Sequence, residues 1–229
     1  WVVSSPDQVA ALRAAFGAIE ATYVADGHHR SASAFRVRDN LRARNPQHTG
    51  EEAYNHFLAV AFPDDELKIM GYHRVVQDLH GLDPAAFLDR VRERFTVETT
   101  ADPEPPQARV FTMHLAGQWY RLTAKEGTFP PDHPVNSLDA AILQDNLLAP
   151  VLGIDDPRTS GRIDFVGGIR GTGELERRCQ RDMAVAFALH PVSVEQLMAI
   201  ADAGEIMPPK STWFEPKLRS GVVVRTLED

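Results

Sequence analysis

Arg109-Val110-Phe111-Thr112-Met113-His114-Leu115 and Gln118-Trp119-Tyr120-Arg121-Leu122-Thr123-Ala124, joined by Ala116-Gly117, read as a β-hairpin. Both arms are rich in β-branched and aromatic residues, and a two-residue link containing glycine is the shortest way to reverse a strand. Working outward, Phe95 to Thr99 reads as a further strand, preceded by a helix that starts at Asp83-Pro84 and runs to Arg94. On the other side, Ser137 to Leu152 is an apolar helix, Ile163 to Val166 a strand ending in Gly167-Gly168, and Gly173 to Asp182 a helix. Met183 to Leu189 then reads as a strand, Ser193 to Ala203 as a helix stopped by Gly204, and Val222 to Leu227 as a closing strand. Toward the N-terminus, Ser5-Pro6-Asp7 opens a helix, Tyr23 to Ala25 is a short buried strand, and Ser31 to Arg44 is a second helix. His56 to Phe62 and Leu67 to Val76 read as strands. Helices alternating with strands and hairpins predict an α/β or α+β class, a mixed sheet with flanking helices.

The chain is expected to be one α/β region over 1–229, with a seam at the proline-rich 102–107. It opens on Trp1-Val2-Val3, as if a strand were entered midway, so we expect a fragment of a larger fold with an exposed apolar edge near Val2 and Val3. Lys and Arg number 24 against 32 Asp and Glu, a net charge of −8, which argues against non-specific binding of nucleic acid. A single cysteine, Cys179, excludes an intrachain disulfide and a cysteine-based zinc site, and no apolar run is long enough for a membrane span. A cytoplasmic location is expected.

Two clusters carry chemistry. Asp26-Gly27-His28-His29-Arg30 stands between a strand and a helix start, where free backbone N–H groups and the helix dipole favour an anion, most simply phosphate. Arg30 suits bidentate anion binding, the imidazoles donate or shuttle protons, Ser31 is a natural helix cap, and Asp26 offers a carboxylate to a hydroxyl or to Mg²⁺. The second cluster is Met207-Pro208-Pro209-Lys210-Ser211-Thr212-Trp213-Phe214-Glu215-Pro216-Lys217, a stiff loop with two lysines and two hydroxyls. Its plainer alternative is a connector with aromatic anchors. His73 and Arg74 are supporting candidates, with a structural histidine the plainer reading of His73. His28 and His29 lack metal-ligand spacing, so no resident metal site is assigned.

Tyr23 to Arg30, Tyr72 to Val76 and Met207 to Gly221 together resemble a widespread prokaryotic family of unknown function labelled SpoOJ/ParB-like, along essentially the whole chain as the C-terminal part of a longer protein. The Asp26–Arg30 segment is also similar to a signature of the wider ParB/sulfiredoxin-like group, which includes partition CTPases and free-serine kinases. That resemblance implies a nucleotide (ATP or ADP) with Mg²⁺, and phosphoryl transfer on a small metabolite such as serine or phosphoserine. Asp26, His28 and His29 would be catalytic, while Arg30, Ser31, Lys210, Ser211, Thr212 and Lys217 would bind phosphate. The two clusters are expected to form one site, within one chain or in trans across a homodimer. The alternatives are a ParB-like nucleotide-dependent regulator and a metabolite-binding protein without catalysis.

Overall fold

The computed structural model describes residues 1–219 and 221–226. They divide into two compact units, Trp1–Val60 with the described residues beyond Arg219, and Ala61–Arg219. The 102–107 segment lies inside the second unit.

The first unit holds helices α1 (Pro6–Gly17) and α2 (His28–Arg44) and a single 3-10 turn, Ala53–Asn55. Pro6 at the first helical position starts α1 as expected. Ala53 is the one buried residue among those described in this unit. Leu12, Phe16 and Ile19, along one face of α1 and just past its end, are exposed. Three expected strands do not form. Tyr23–Ala25 and His56–Phe62 carry no strand pairing, and neither do Val222–Arg225, while Leu227 lies outside the described residues. A strand is defined by the ladder it makes, and apolar alternation alone supplies no partner for the backbone N–H and C=O groups.

The second unit is built on a six-stranded sheet. Its strands, with the small pair described below, are β1 (Lys68–Met70), β2 (Tyr72–Val76), β3 (Phe95–Thr99), β4 (Val110–Leu115), β5 (Gln118–Ala124), β6 (Ile163–Gly167), β7 (Val185–Ala188) and β8 (Trp213–Glu215). The six run in the order β3-β5-β4-β7-β2-β6, and every pairing is antiparallel. The expected class, helices flanking a sheet, is observed, but the sheet expected to be mixed is antiparallel throughout. Its hairpin β4–β5 turns on Ala116 and Gly117, both with positive φ (49° and 82°), the type I′ geometry whose twist matches the flanking strands.

Helix α3 (Pro84–Arg94) is fixed by Asp83, whose Oδ1 accepts the Ala85 and Ala86 N–H groups at 2.9 Å each, ahead of Pro84. Its Phe87 and Val91 bury on one face of the sheet with Phe111, Met113, Leu122, Phe187, Leu143 and Leu147. The long helix expected over 137–152 is shorter and changes its hydrogen-bond pattern midway. Helix α4 (Asp139–Leu143) passes into a π-helical turn, Gln144–Leu148, in which the Ala149 N–H reaches back to Gln144 O. Helix α5 (Thr172–Arg181) covers the opposite sheet face, where Leu175 packs with Val75, Trp119, Ala186 and Ala188. Helix α6 (Val194–Asp202) opens with a capping box between Ser193 and Gln196, and its Ile200 packs with Leu138 and Val192.

The strand expected over 67–76 is broken at Gly71. β1 leaves the main sheet to pair with β8, while β2 enters it. A methyl on Gly71 would run into the Leu189 carbonyl oxygen, and Gly168, whose N–H bonds Gly71 O at 2.8 Å, leaves no room either. Both obstacles are backbone, which cannot rotate away. Gly71→Ala is expected to cost about 2 kcal/mol in urea unfolding, the scale of overpacking in a dense interior. Gly161→Ala, where nothing lies within 4 Å of the added methyl, should change stability by less than about 0.5 kcal/mol. Equal effects at the two positions would refute the backbone clash.

Candidate functional site

In the first unit, Gly27 caps α2 in the left-handed region at φ 83°, where glycine carries no steric penalty. Its N–H donates to Asp26 Oδ1 at 2.7 Å. Helix α2 has no side-chain cap hydrogen bond and no acidic residue in its first turn, and the acid beside its positive end is Asp26, just before the cap. The Arg30 side chain folds back over this end: a methyl on Gly27 would lie 3.5 Å from Arg30 Nη2. The Arg30 guanidinium and the helix dipole thus meet beside His28 and His29, with the Asp26 carboxylate at the same turn. Two expectations change here. The cluster does not follow a strand, and Ser31 is not the cap, because α2 starts at His28 and the Ser31 N–H already bonds Gly27 O at 3.0 Å.

In the second unit the structure joins two of the sequence motifs, Tyr72–Arg74 and the 207–217 strap. Arg74 is fully buried on β2. Its guanidinium donates to Lys210 O at 2.9 Å, to Pro209 O at 3.4 Å and to Tyr72 O, and lies over the Phe165 ring. Arg74 therefore holds the strap rather than a ligand. His73 accepts the Leu189 N–H at Nδ1, and burial with the adjacent Arg74 charge pushes it down to about 4, so it is a neutral structural histidine. Ser211 is buried, its hydroxyl donating to Pro208 O at 2.7 Å. Thr212 is half-buried. Trp213 covers Gly167 and meets Tyr72 edge-on, while Phe214 is buried, so the aromatics of the strap are anchors. Lys210 sits at φ 57°, uncommon for a residue with a side chain, with Nζ 5.6 Å from the Tyr72 ring centre; Lys217 Nζ lies 5.1 Å from that of Trp213. Both ammoniums are held on aromatic faces.

Sequence reading missed Asp139. It is buried on the Arg74 side of the sheet, with Oδ1 accepting the Arg109 N–H at 2.7 Å and the His190 N–H bonding it as well. Oδ2 has no partner among the described residues. Burial pushes its carboxyl up to about 6, against the downward pull of those N–H groups and of the Arg109 and Arg74 charges. One signal was available: an acid inside the apolar run Leu138 to Leu143. Among the described residues, no group of three or more His, Cys, Asp or Glu could hold a metal ion, and no helix is long and apolar enough to cross a membrane.

A family described as a protein of unknown function, DUF1015, matches residues 1–141. The chain belongs to the DUF1015 family. The match carries Asp26–Arg30, Tyr72–Arg74 and Asp139, while the 207–217 strap lies beyond it. No curated protein matches this DUF1015 chain. Among solved structures it is similar to a free serine kinase in complex with AMP, with 14% identity, a TM-score of 0.41, and coverage of 66% of this chain and 54% of that one. It is similar to a conserved hypothetical protein from Pyrococcus furiosus, with 12% identity, a TM-score of 0.41, and coverage of 66% and 57%. SbnI from Staphylococcus aureus, with a C-terminal truncation, gives 16% identity, a TM-score of 0.38, and coverage of 72% and 55%. The chain thus spans little more than half the length of each of these structures. The unknown-function family expected from the sequence is thus found, while its description carries no SpoOJ or ParB label and that part of the resemblance is not supported.

Proposed function

We propose that this DUF1015 chain binds a phosphorylated small molecule at the N-terminus of α2 and serves phosphoryl transfer between a nucleotide and a hydroxyl-bearing metabolite. The observation that carries the reading is the Arg30 guanidinium folded over Gly27 at a helix start with no side-chain cap, beside the Asp26 carboxylate. A transferring phosphoryl group spreads charge over its oxygens, and catalysis of it is chiefly positioning and electrostatics. Arg30 and the first-turn N–H groups of α2 would hold those oxygens, with His28 and His29 donating to them. Asp26 would take the proton of the attacking hydroxyl or orient Mg²⁺ carried in with the nucleotide. As the new O–P bond forms, the bond to the nucleotide breaks and the nucleotide leaves one phosphate shorter. AMP in the free serine kinase suggests adenine nucleotides as the first ligands to try, with serine as the acceptor. Lys210 and Lys217 of the second unit, with Ser211 and Thr212, are proposed as a second anion-facing surface. The Ser211 hydroxyl there shapes the strap.

Calorimetric titration with ADP and phosphoserine, and phosphorus NMR of ATP with serine, test this. Arg30→Met is expected to weaken ADP binding about 10- to 100-fold, the loss of one charge-assisted hydrogen-bonding group worth about 1.5–3 kcal/mol. Unchanged affinity in Arg30→Met, or no binding of either ligand by the parent chain, would overturn the assignment.

A further inference from the structure

On the sheet face covered by α5, a cleft of about 300 Å³ opens between the Ala116-Gly117 turn and the C-terminal half of that helix. His114, Trp119, Glu176, Cys179 and Met183 line it, and no lysine or arginine does. The charge pattern of α5 singles out one of these residues. Arg177 pairs with Glu174, Arg178 with Asp164 and Asp182, and Arg181 with Asp182. Glu176 has no ion pair among the described residues. Its Oε1 accepts the Trp119 indole N–H at 2.6 Å, which fixes the carboxylate at the edge of the indole ring.

The other polar groups of the cleft are neutral. Burial pushes the Cys179 thiol up to about 12, and burial lowers His114 below its ordinary value against the pull of Glu176. His114 is buried with its ring edge-on to Trp119 at 5.0 Å between centres, and its Nδ1 has no hydrogen-bond partner among the described residues. An unmatched buried ring nitrogen is costly to a fold, and one lining a cleft is matched when a ligand group fills it. A single carboxylate without an ion pair, an indole, a neutral imidazole and a thioether together disfavour anions. They favour a small cation with N–H donors and an apolar body.

We propose that this cleft binds a small organic ammonium ion, the head group of a primary amine, with its charge on Glu176 and its carbon chain against Trp119 and Met183. The site is independent of the phosphate reading, because none of its residues belongs to the α2 turn. Propylammonium is the probe, with propan-1-ol as the isosteric neutral control and sodium propionate as the anionic one. The readout is the Trp119 indole N–H cross-peak of the full chain labelled with ¹⁵N-tryptophan. Propylammonium is expected to shift that peak saturably. Glu176→Gln, which keeps an acceptor for the indole and removes the charge, should weaken the response at least tenfold. An equal response to propan-1-ol or propionate, an unchanged affinity in Glu176→Gln, or no shift with propylammonium would each overturn the proposal.

Discussion

Arg74→Met is expected to lower the stability of the second unit by about 3 kcal/mol, the order of leaving buried carbonyl acceptors without their charged donor. The methionine fills part of the volume but donates nothing. The carbonyls of Pro209 and Lys210 then lose the guanidinium that joins them to β2. Asp139 loses one of the two cationic influences that favour its ionised form. The strap should loosen before the sheet does, because beyond these bonds it is attached only by the short β1–β8 pairing and its aromatic anchors. Urea unfolding measures the first effect, and the rate of tryptic cleavage after Lys210 and Lys217 measures the second. Arg74→Lys keeps the charge but cannot reach both carbonyls with a planar fork, so it should fall between the two. A loss under about 1 kcal/mol with unchanged cleavage would show that the strap is held by its aromatic anchors alone.

Asp139→Asn is expected to change the pH dependence of stability by about 2 kcal/mol between pH 4 and pH 6.5, as follows from a carboxyl raised from 3.8 to about 6. The folded state holds the Asp139 proton more tightly than the unfolded chain. Its contribution is therefore full below the unfolded value of 3.8 and is lost as pH rises through about 6. His73 has the opposite sign. Lowered from 6.5 to about 4, it contributes fully above 6.5, and that contribution is lost as pH falls through about 4. The two slopes oppose each other in the parent chain and flatten its profile. Removing the Asp139 titration leaves the His73 slope uncovered, so the stability of Asp139→Asn should climb with pH across this window. Asparagine retains an oxygen for the Arg109 N–H, which keeps the comparison on charge. Parallel profiles for the two chains, from urea unfolding at half-unit pH steps, would show that Asp139 does not titrate in this window.

Elements whose hydrogen-bond partners are close in sequence were legible from residues alone. The β4–β5 hairpin needs only Ala116-Gly117 between two strand-forming runs, and α3 needs only Asp83-Pro84. The α2 turn was located by its Asp-Gly-His-His-Arg composition, though the helix begins three residues earlier than Ser31, because glycine rather than serine takes the capping position. The first-unit strands were misread for a physical reason. Tyr23–Ala25 and His56–Phe62 have strand-like composition, but strand structure belongs to a pair, and no ladder forms there.

Sequence by itself determined the local chemistry: which residues carry charge, which runs are apolar, where chain reversals fall, and that the chain is acidic overall. Tertiary structure alone decided what those groups do. The guanidinium of Arg74 meets the carbonyl of Lys210 across 136 positions, which turns a candidate ligand-binding arginine into the fastening of the strap. Asp139 is an acid like any other until the N–H groups of Arg109 and His190 converge on it away from water. Glu176 is one of several acids near α5 until each arginine of that helix is seen to be paired with another acid. A side chain's pKa, its partners and its exposure are properties of its surroundings, and those are assembled by contacts between residues far apart in the chain.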